Sequence, residues 1–431
     1  MGVHVTLIIN YSIFPNRCWR EQDLSSEFPG YKGKALQVLR KAGAEIGDMI
    51  RIIKDTETYE GILIPRSGYG DEKHVVIKMK SGYNVGVHLT PNTRIEKIGV
   101  GAKPTFTSPP LPKQKPGLPK VTIISTGGTI ASRVDYRTGG VRSALSASDL
   151  YSVVPELSQI AAIDAQILFS LYSENITAKH WAETAETVAK HIQKGVAGVV
   201  IAHGTDTMAY TAAALSFALQ NLPVPVILVG SQRSADRPSS DAATNLIGAV
   251  RAAAWAPFAE VVLAMHQTVS DKAIVFHRGT KVRKCHTSRR DAFQSINTSP
   301  LAKIENEEIT MMLEDYCQRD LSRRLVLKPN FDEKVALVKF YTGLNPDVID
   351  WYVDKGYRGI IFEGTGLGHV SSYCFSAIRK AIKKGLVVAM TSQCIWGRLN
   401  MSVYDAGRDL LAMGVFPLED MLPETALVKL M

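Results

Sequence analysis

The chain has 431 residues, of which 45% are hydrophobic and 21% are charged, and its formal net charge is +9. This composition is typical of a soluble globular protein of two to three domains, and the positive charge permits contact with nucleic acid without requiring it. No apolar run approaches the ~20 residues that span a bilayer, and the five cysteines lack CxxC or CxxH spacing, which excludes a helical membrane protein, a disulfide framework and a structural zinc site and predicts a cytoplasmic protein.

Residues 1–100 predict a small β-barrel domain. The stretch MGVHVTLIINYSIF lacks a basic start and a cleavage site, so we expect it to be structural rather than a signal peptide, although residues 1–30 predict no element. A short amphipathic helix is expected around Lys34–Ala42. Short alternating runs then predict the strands of an SH3-like or Sm-like barrel: IGDMIRII, YEGILIP, KHVVIKM and YNVGVHL. Such barrels bind RNA or proteins, or serve only as packing modules.

A linker is expected at residues 101–120, GAKPTFTSPPLPKQKPGLPK. This stretch favours extended polyproline II structure and acts as a semi-rigid spacer. It therefore marks a domain boundary.

From residue 121 onward, apolar runs alternate with helical patterns, which predicts a doubly wound α/β body. The runs VAGVVIAH, VPVILVG, AEVVLAM, VALVKF, RGIIFEG and LVVAMTS predict buried parallel strands. The polar stretch 306–333 predicts a boundary between a large catalytic lobe, 121–325, and a small lobe, 326–431. The sequence stops at LPETALVKLM, inside an expected helix. The small lobe is therefore expected to be either a fragment or a shorter variant.

Polar residues follow three of these strands, where ligands bind in open α/β sheets. TGGT (126–129) follows VTIIS, HGTDT (203–207) follows VVIA, and Lys284 follows the expected hairpin AIVFHRGTKV. A threonine hydroxyl becomes a nucleophile when a neighbour takes its proton, and a lysine held by an aspartate can relay that proton. Backbone N–H groups beside Gly128 and Gly204 could hold the developing oxyanion. Each motif alone is equally compatible with a tight turn or a helix start, but together they favour catalysis.

The motifs TGGTIA and HGTDTMAYTA, with a lysine after a hairpin, resemble the bacterial-type L-asparaginase/glutaminase family from Val121 onward. The resemblance implies a two-lobed asparaginase-like fold with Thr129 as the primary nucleophile. It also implies Thr205, Asp206 and Lys284 as a second catalytic group around the amide.

The same resemblance suggests substrate-binding residues outside the two motifs. It matches Tyr136 to the family's flexible lid, where the alternative is an exposed aromatic in a mobile loop. It places Ser173 and Glu174 at the substrate's α-carboxylate and α-amino groups, along with the backbone at Gly128 and Gly204. A helix cap at Ser173 or Asn175 is equally compatible.

The sequence departs from ordinary asparaginases in two places that bear on function. The family's asparagine in the small-lobe glycine loop is Leu367 here, which puts the neighbouring copy's contribution to the site in doubt. Ordinary asparaginases also lack residues 1–120. A barrel and linker before such a body, with SQRSADRPSSDAATNL, SENIT and DMLPETA, resemble the D-subunit family of the archaeal Glu-tRNA(Gln) amidotransferase.

This second resemblance implies a glutaminase that releases ammonia from glutamine, and a tRNA-binding partner, the E subunit of the same enzyme, that amidates Glu-tRNA(Gln). It implies ATP and Mg²⁺ at that partner, no metal or cofactor in this chain, and a homodimer core within a heterotetramer. The alternatives are a free-standing L-asparaginase with an accessory barrel and a non-catalytic scaffold that docks RNA.

Three further features have other interpretations. GTGLGHVS (364–371) lacks the third glycine of a dinucleotide loop, where His369 stands, so a cofactor site is not expected. His203 is expected to support its loop by hydrogen bonding. The run KVRKCHTSRR (281–290) is interpreted as partly catalytic and otherwise a solvated basic hairpin, with contact to tRNA as the minority alternative.

Overall fold

The structure is a computed structural model that describes residues 28, 30–66, 71–79, 84–100, 117–128, 130, 132–134, 141–143, 154–233 and 240–431. The chain divides into two compact units, residues 1–106 with 134–141, and residues 107–133 with 142–431. No helix in the described part of the chain is both long and apolar enough to cross a membrane.

In its described residues, the first unit is a five-stranded antiparallel sheet with one helix, in the strand order β4-β3-β2-β1-β5. Its elements are α1 (Gly33–Lys41), β1 (Met49–Lys54), β2 (Glu57–Leu63), β3 (His74–Lys78), β4 (Asn84–His88) and β5 (Arg94–Gly99). Alternate strand residues such as Ile50 and Ile52 pack with Leu39 of the helix in one core. Tyr31 ties the segment before α1 to this sheet, because its hydroxyl donates to Ile64 O at 2.9 Å. Its burial raises the pKa of Tyr31 to about 12.

The second unit contains a large lobe built on an eight-stranded sheet, β18-β17-β14-β13-β12-β10-β6-β9. Strands β9, β6, β10, β12 and β13 are parallel, and β14, β17 and β18 continue the sheet in antiparallel pairs. The strands between residues 120 and 295 are β6 (Lys120–Gly127), β7 (Ser132–Val134), β8 (Val141–Ser143), β9 (Ala162–Leu171), β10 (Gly198–Ala202), β11 (Leu219–Gln220), β12 (Val226–Val229), β13 (Val261–His266), β14 (Ala273–Arg278), β15 (Val282–Lys284) and β16 (Phe293–Ser295). The last three strands of this lobe are β17 (Ala302–Glu305), β18 (Glu308–Met311) and β19 (Val326–Leu327).

Helices cover both faces of the large sheet, because its central strands are apolar on both sides. The described helices of this lobe are α2 (Ala178–Gln193), α3 (Met208–Ala218) and α4 (Ala242–Trp255). Ile123 of β6 packs in the core beneath α4, whereas its neighbour Ile124 packs in the core beneath α2 and α3. The predicted stripe Trp181, Ala185 and Val188 lies on the buried face of α2.

The small lobe is a four-stranded parallel sheet, β20-β21-β22-β23, with its own core. Its elements are β20 (Val335–Lys339), α5 (Asp347–Asp354), β21 (Gly359–Gly364), α6 (Phe375–Lys383), β22 (Val387–Ser392), α7 (Asp405–Met413), β23 (Phe416–Pro417) and α8 (Pro423–Leu430). The predicted two-lobed α/β body is confirmed. Strand β19 pairs with β11 of the large lobe and Phe331 packs against Trp181 of α2, so contacts of that lobe extend to residue 331, past the expected division at residue 325.

Two local predictions are wrong. AIVFHRGTKV is not a hairpin, because β14 joins the large sheet while β15 pairs with β16 in a separate two-stranded ribbon. Neither Ser173 nor Asn175 caps α2, because both lie in a short 3-10 turn. The helix instead begins after Thr177, whose backbone N–H donates to His180 Nδ1 at 3.0 Å.

Candidate active site

Two adjacent parallel strands bring the two sequence motifs together. β6 pairs with β10 in register up to Ser125 and Ala202, so the TGGT and HGTDT loops leave the sheet side by side. The chain passes from β6 to β9 on one side and then to β10 on the other, which makes this edge a topological switch point. The hydroxyl of Thr126 ties the loops at their base by donating to Ala202 O at 3.0 Å.

The two loops meet through their glycines. Gly128 has φ +83°, and a Cβ there would lie 2.5 Å from the backbone nitrogen of Gly204. A Cβ at Gly204 would lie 2.8 Å from Cβ of Ser173. Glycine is therefore required at Gly128 both for its left-handed backbone and for the close approach of the second loop.

Lys284 joins the HGTDT loop from the ribbon. Its Nζ donates to Oγ1 of Thr205 at 2.8 Å and to Oδ1 of Asp206 at 2.7 Å. The lysine side chain is 13% exposed and the aspartate 70% exposed. The three residues thus form the contact set that a proton relay to a threonine hydroxyl requires.

His203 supports this loop from below, as expected. Its Nδ1 lies 2.7 Å from Gly204 O, and its Nε2 lies 2.9 Å from the hydroxyl of Thr211, which in turn accepts from Trp181 Nε1. Burial lowers the pKa of His203 to about 4, so the ring is neutral at pH 7. A neutral buried ring with both nitrogens bonded is a structural support and not a proton-transfer group.

Ser173 lies at the loop, whereas Glu174 is exposed beside it. Ser173 is buried against Gly204, and its carbonyl accepts a 2.6 Å hydrogen bond from the hydroxyl of Thr207. The predicted Thr129 and Tyr136 lie outside the described residues. The roles of these residues as nucleophile, lid and substrate ligands stay predictions.

The basic run 281–290 is paired with carboxylates. Each of its five lysines and arginines lies within 4 Å of an aspartate or glutamate: Lys281 with Asp420, Arg283 with Glu424 and Glu363, Lys284 with Asp206, Arg289 with Asp291, and Arg290 with Asp271. Each cation of the run therefore has a carboxylate partner within this chain, and contact with tRNA stays a prediction. The sequence interpretation missed these pairs because their partners lie up to 141 residues away.

Family comparisons match all three parts of the chain. "Asparaginase, N-terminal" matches residues 120–316, "Glutaminase/Asparaginase C-terminal domain" matches 334–431, and "GatD N-terminal domain" matches 44–98.

Curated relatives extend this match over nearly the whole chain. The D subunit of the glutamyl-tRNA(Gln) amidotransferase of Metallosphaera sedula is 51% identical over 405 residues, which is 93% of this chain and 90% of the relative. The chain belongs to the D-subunit family of glutamyl-tRNA(Gln) amidotransferases. A second D subunit, of Methanopyrus kandleri, is 50% identical over 93% of this chain and 89% of its own length.

Solved structures match this member of the D-subunit family over its catalytic body. The thermostable L-asparaginase from Thermococcus kodakarensis is 30% identical, with a TM-score of 0.66 over 72% of this chain and 92% of its own. L-asparaginase I from Vibrio cholerae is 29% identical, with a TM-score of 0.63 over 73% of this chain and 92% of its own. The chain is an amidohydrolase component with an asparaginase-type body.

Proposed function

We propose that this chain is the glutaminase subunit of a glutamyl-tRNA(Gln) amidotransferase. It hydrolyses the side-chain amide of glutamine and releases ammonia, which a partner subunit uses to convert Glu-tRNA(Gln) to Gln-tRNA(Gln). The observation that carries the proposal is that the identity of about 50% to D-subunit relatives spans 93% of the chain, whereas the L-asparaginase structures cover 72–73%.

The contacts of the described site residues support amide hydrolysis. Lys284 donates to both Thr205 and Asp206, so it can pass a proton between the hydroxyl of Thr205 and the carboxylate of Asp206. Gly128 lies against Gly204. The proposed nucleophile is the next residue, Thr129. The proposed ligands of the amino-acid end of glutamine are Ser173 and Glu174.

The partner in this proposal is the tRNA-binding E subunit, where ATP and Mg²⁺ act, with two copies of each chain in a cytoplasmic heterotetramer. A glutaminase that serves such a partner should not consume free glutamine. We therefore expect hydrolysis by the isolated chain to be slow and to rise roughly 5- to 150-fold when partner and charged tRNA are bound, which corresponds to a coupling of about 1–3 kcal/mol.

The test measures ammonia release from glutamine and from asparagine by the isolated chain, with partner alone, and with partner plus glutamyl-tRNA(Gln). Lys284→Met in each mixture is the control for ammonia from other sources. Activation of glutamine hydrolysis by the full mixture supports the proposal. Rapid asparagine hydrolysis by the isolated chain, unchanged by either addition, would instead support a free-standing L-asparaginase.

A further inference from the structure

The strand that carries Lys284 is poorly anchored by its own backbone. β15 and β16 have three residues each and pair only with each other among the described strands. An isolated two-stranded ribbon is marginally stable in water at best. The position of Lys284 must therefore depend on side chains that fasten the ribbon to the rest of the body.

One face of the ribbon is fastened to the large lobe. Val282 and Phe293 are buried in the core beneath α2 and α3. Ser295 of β16 bonds to the buried ring of His277 at 2.8 Å. These contacts bind one face of the ribbon to the large lobe. They leave the other face, which is turned toward the small lobe, to be held by other side chains.

Arg283 fastens the opposite face. Side chains alternate along a strand, so Arg283 points away from its neighbours Val282 and Lys284. Its Nε lies 3.1 Å from Oε1 of Glu424 in α8, and its Nη2 lies 3.8 Å from Oε1 of Glu363 at the end of β21. The arginine side chain is 23% exposed and both glutamate side chains are 9% exposed.

The cluster of Arg283, Glu363 and Glu424 places one positive charge beside two buried carboxyl groups. Burial raises the pKa of the Glu424 carboxyl, the Arg283 guanidinium opposes that rise, and the charge of Glu363 adds to it. The second oxygen of Glu424 is buried without a hydrogen-bond partner in the described structure. Removing the guanidinium would leave two buried carboxyl groups without a counter-charge, so they would have to take up protons or move apart, and in either case the ion pairs that fasten the ribbon are lost.

The helix that carries Glu424 also contacts the other half of the site. Val428 of α8 packs with Ala213 and Ala214 of α3, the helix that begins directly after the HGTDT loop. Thr425 of α8 donates to Thr280 O at 2.8 Å, just before the ribbon. One small-lobe helix is thus fastened both to the element after Thr205 and Asp206 and to the strand of Lys284.

We propose that Arg283, through Glu424 and Glu363, is a positioning residue that keeps Lys284 within hydrogen-bond distance of Thr205 and Asp206. The proposal rests on the amide-hydrolysing site proposed above. Arg283 touches no reacting atom. It acts by holding the ribbon against the small lobe, so that the spacing between the two halves of the site is set by α8.

The test compares Arg283→Met, Arg283→Lys and Glu424→Gln in the full chain by steady-state glutamine hydrolysis and thermal unfolding. We expect Arg283→Met to lower kcat on the order of 10²-fold, because a displacement of about 1 Å has effects of that size, with KM changed by less than about threefold. Arg283→Lys keeps a cation beside Glu424 and should restore much of kcat. The double variant Arg283→Met with Glu424→Gln should lose no more than Arg283→Met alone.

Lys281→Met is the matched control. Lys281 lies two residues earlier and pairs with Asp420 of the small lobe at 2.6 Å, but it lies before the ribbon strand. We expect its kcat to stay within about twofold of the parent, because only a surface ion pair is lost.

Three results would overturn the proposal: a normal kcat for Arg283→Met, an effect on KM alone, or an equal loss of kcat for Lys281→Met. If Arg283→Met does not fold, a normal kcat for Glu424→Gln, which keeps the shape of the side chain, overturns it as well. Lys284→Met separates this failure from that of the proposed function. If Lys284→Met is active, the site assignment is wrong, and if only Arg283→Met is active, the positioning role is wrong.

Discussion

Thr205 and Asp206 reach the site from the end of a central strand, whereas Lys284 reaches it from a three-residue strand outside the main sheet. β10 is bonded to a parallel neighbour on each side, and its five residues are all buried. β15 has one partner strand and depends on Val282, Arg283 and their contacts for its place.

The difference shows two ways of placing a functional group. On the central strand, backbone hydrogen bonds and two covered faces determine the position, so a single side chain has little influence on it. On the ribbon, a few side chains determine the position, and one of them belongs to the other lobe. The hydrogen bonds of 2.7–2.8 Å from Lys284 to Thr205 and Asp206 therefore join a rigid strand end to a ribbon whose position can be changed by a few side chains.

The largest effect is expected on the sheet side, from Thr129→Val. The substitution keeps the shape of the side chain but removes the predicted attacking hydroxyl, so turnover should fall by at least ~10³-fold while unfolding is unchanged. Thr126→Val is the matched control in the same motif, because its hydroxyl is used in the bond to Ala202 O. That variant should lose about 1 kcal/mol of stability and far less turnover than Thr129→Val, because its hydroxyl holds the base of the loops and does not attack the amide. Near-normal turnover by Thr129→Val would show that Thr129 is not the nucleophile.

The next effect joins the two sides. Lys284→Met and Asp206→Asn should each remove most of the activity, and the double variant should lose little more, because groups that act as one relay are not additive. Initial rates of amide hydrolysis for the two single variants and the double variant measure this. If the two losses multiply, the ribbon and the strand loop act independently.

Gly128→Ala tests the backbone contact of the sheet side. It should cost about 1–2 kcal/mol for the left-handed backbone and should also separate the TGGT and HGTDT loops, with a loss of turnover on the order of 10²-fold. Gly195→Ala is the matched control, because Gly195 has a similar φ of +78° but nothing lies within 4 Å of its Cβ position. Denaturant unfolding and initial rates should show a stability loss in both variants and a loss of turnover in Gly128→Ala alone. Equal turnover in the two variants would contradict a functional contact at Gly204.

The effect expected to be smallest on turnover is a pH dependence of stability that involves both sides. Burial lowers the pKa of His203 beneath the strand loop and of His277 beneath the ribbon to about 4, from 6.5. The unfolded chain therefore binds more protons than the folded chain between these values. Stability is full above pH 6.5 and falls as the pH drops towards 4, by up to ~1.4 kcal/mol per pH unit for each ring.

Free energies of unfolding at pH 7 and pH 5 test this dependence in the parent and in His277→Gln. The variant should lose less stability on acidification than the parent, because one of the two rings no longer titrates. An equal loss in the two proteins would mean that His277 is not the buried neutral ring described here.

The parts of the fold that the sequence predicts are those governed by local patterns. Continuous apolar runs predict β10, β12 and β13, and the spacing of Trp181, Ala185 and Val188 predicts α2. Because the carboxyl ends of parallel strands meet at one edge, the convergence of TGGT and HGTDT also follows from those runs. The helix expected around Lys34–Ala42 lies at Gly33–Lys41.

The parts that the sequence does not predict depend on long-range pairing. β15 and β16 have three residues each, so their alternation of apolar and polar side chains cannot be distinguished from the pattern of a turn. The sequence pattern therefore places the hairpin on β14 and β15, whereas the structure pairs β15 with β16. Arg283 resembles surface charge in the sequence because its partner Glu424 lies in the last helix. The start of α2 is not predicted because Ser173 and Asn175, the cap residues expected from the sequence, lie in a 3-10 turn, and the helix begins only after Thr177.

The unequal exposure of the Lys284–Asp206 pair has a consequence for ligand binding. With the lysine enclosed and the carboxylate open to solvent, water screens the ion pair mainly from the aspartate side. A ligand that covers Asp206 displaces that water, lowers the local dielectric constant and strengthens the attraction between the two charges. Occupancy of the site would thus strengthen an ion pair that is already formed at 2.7 Å in this structure.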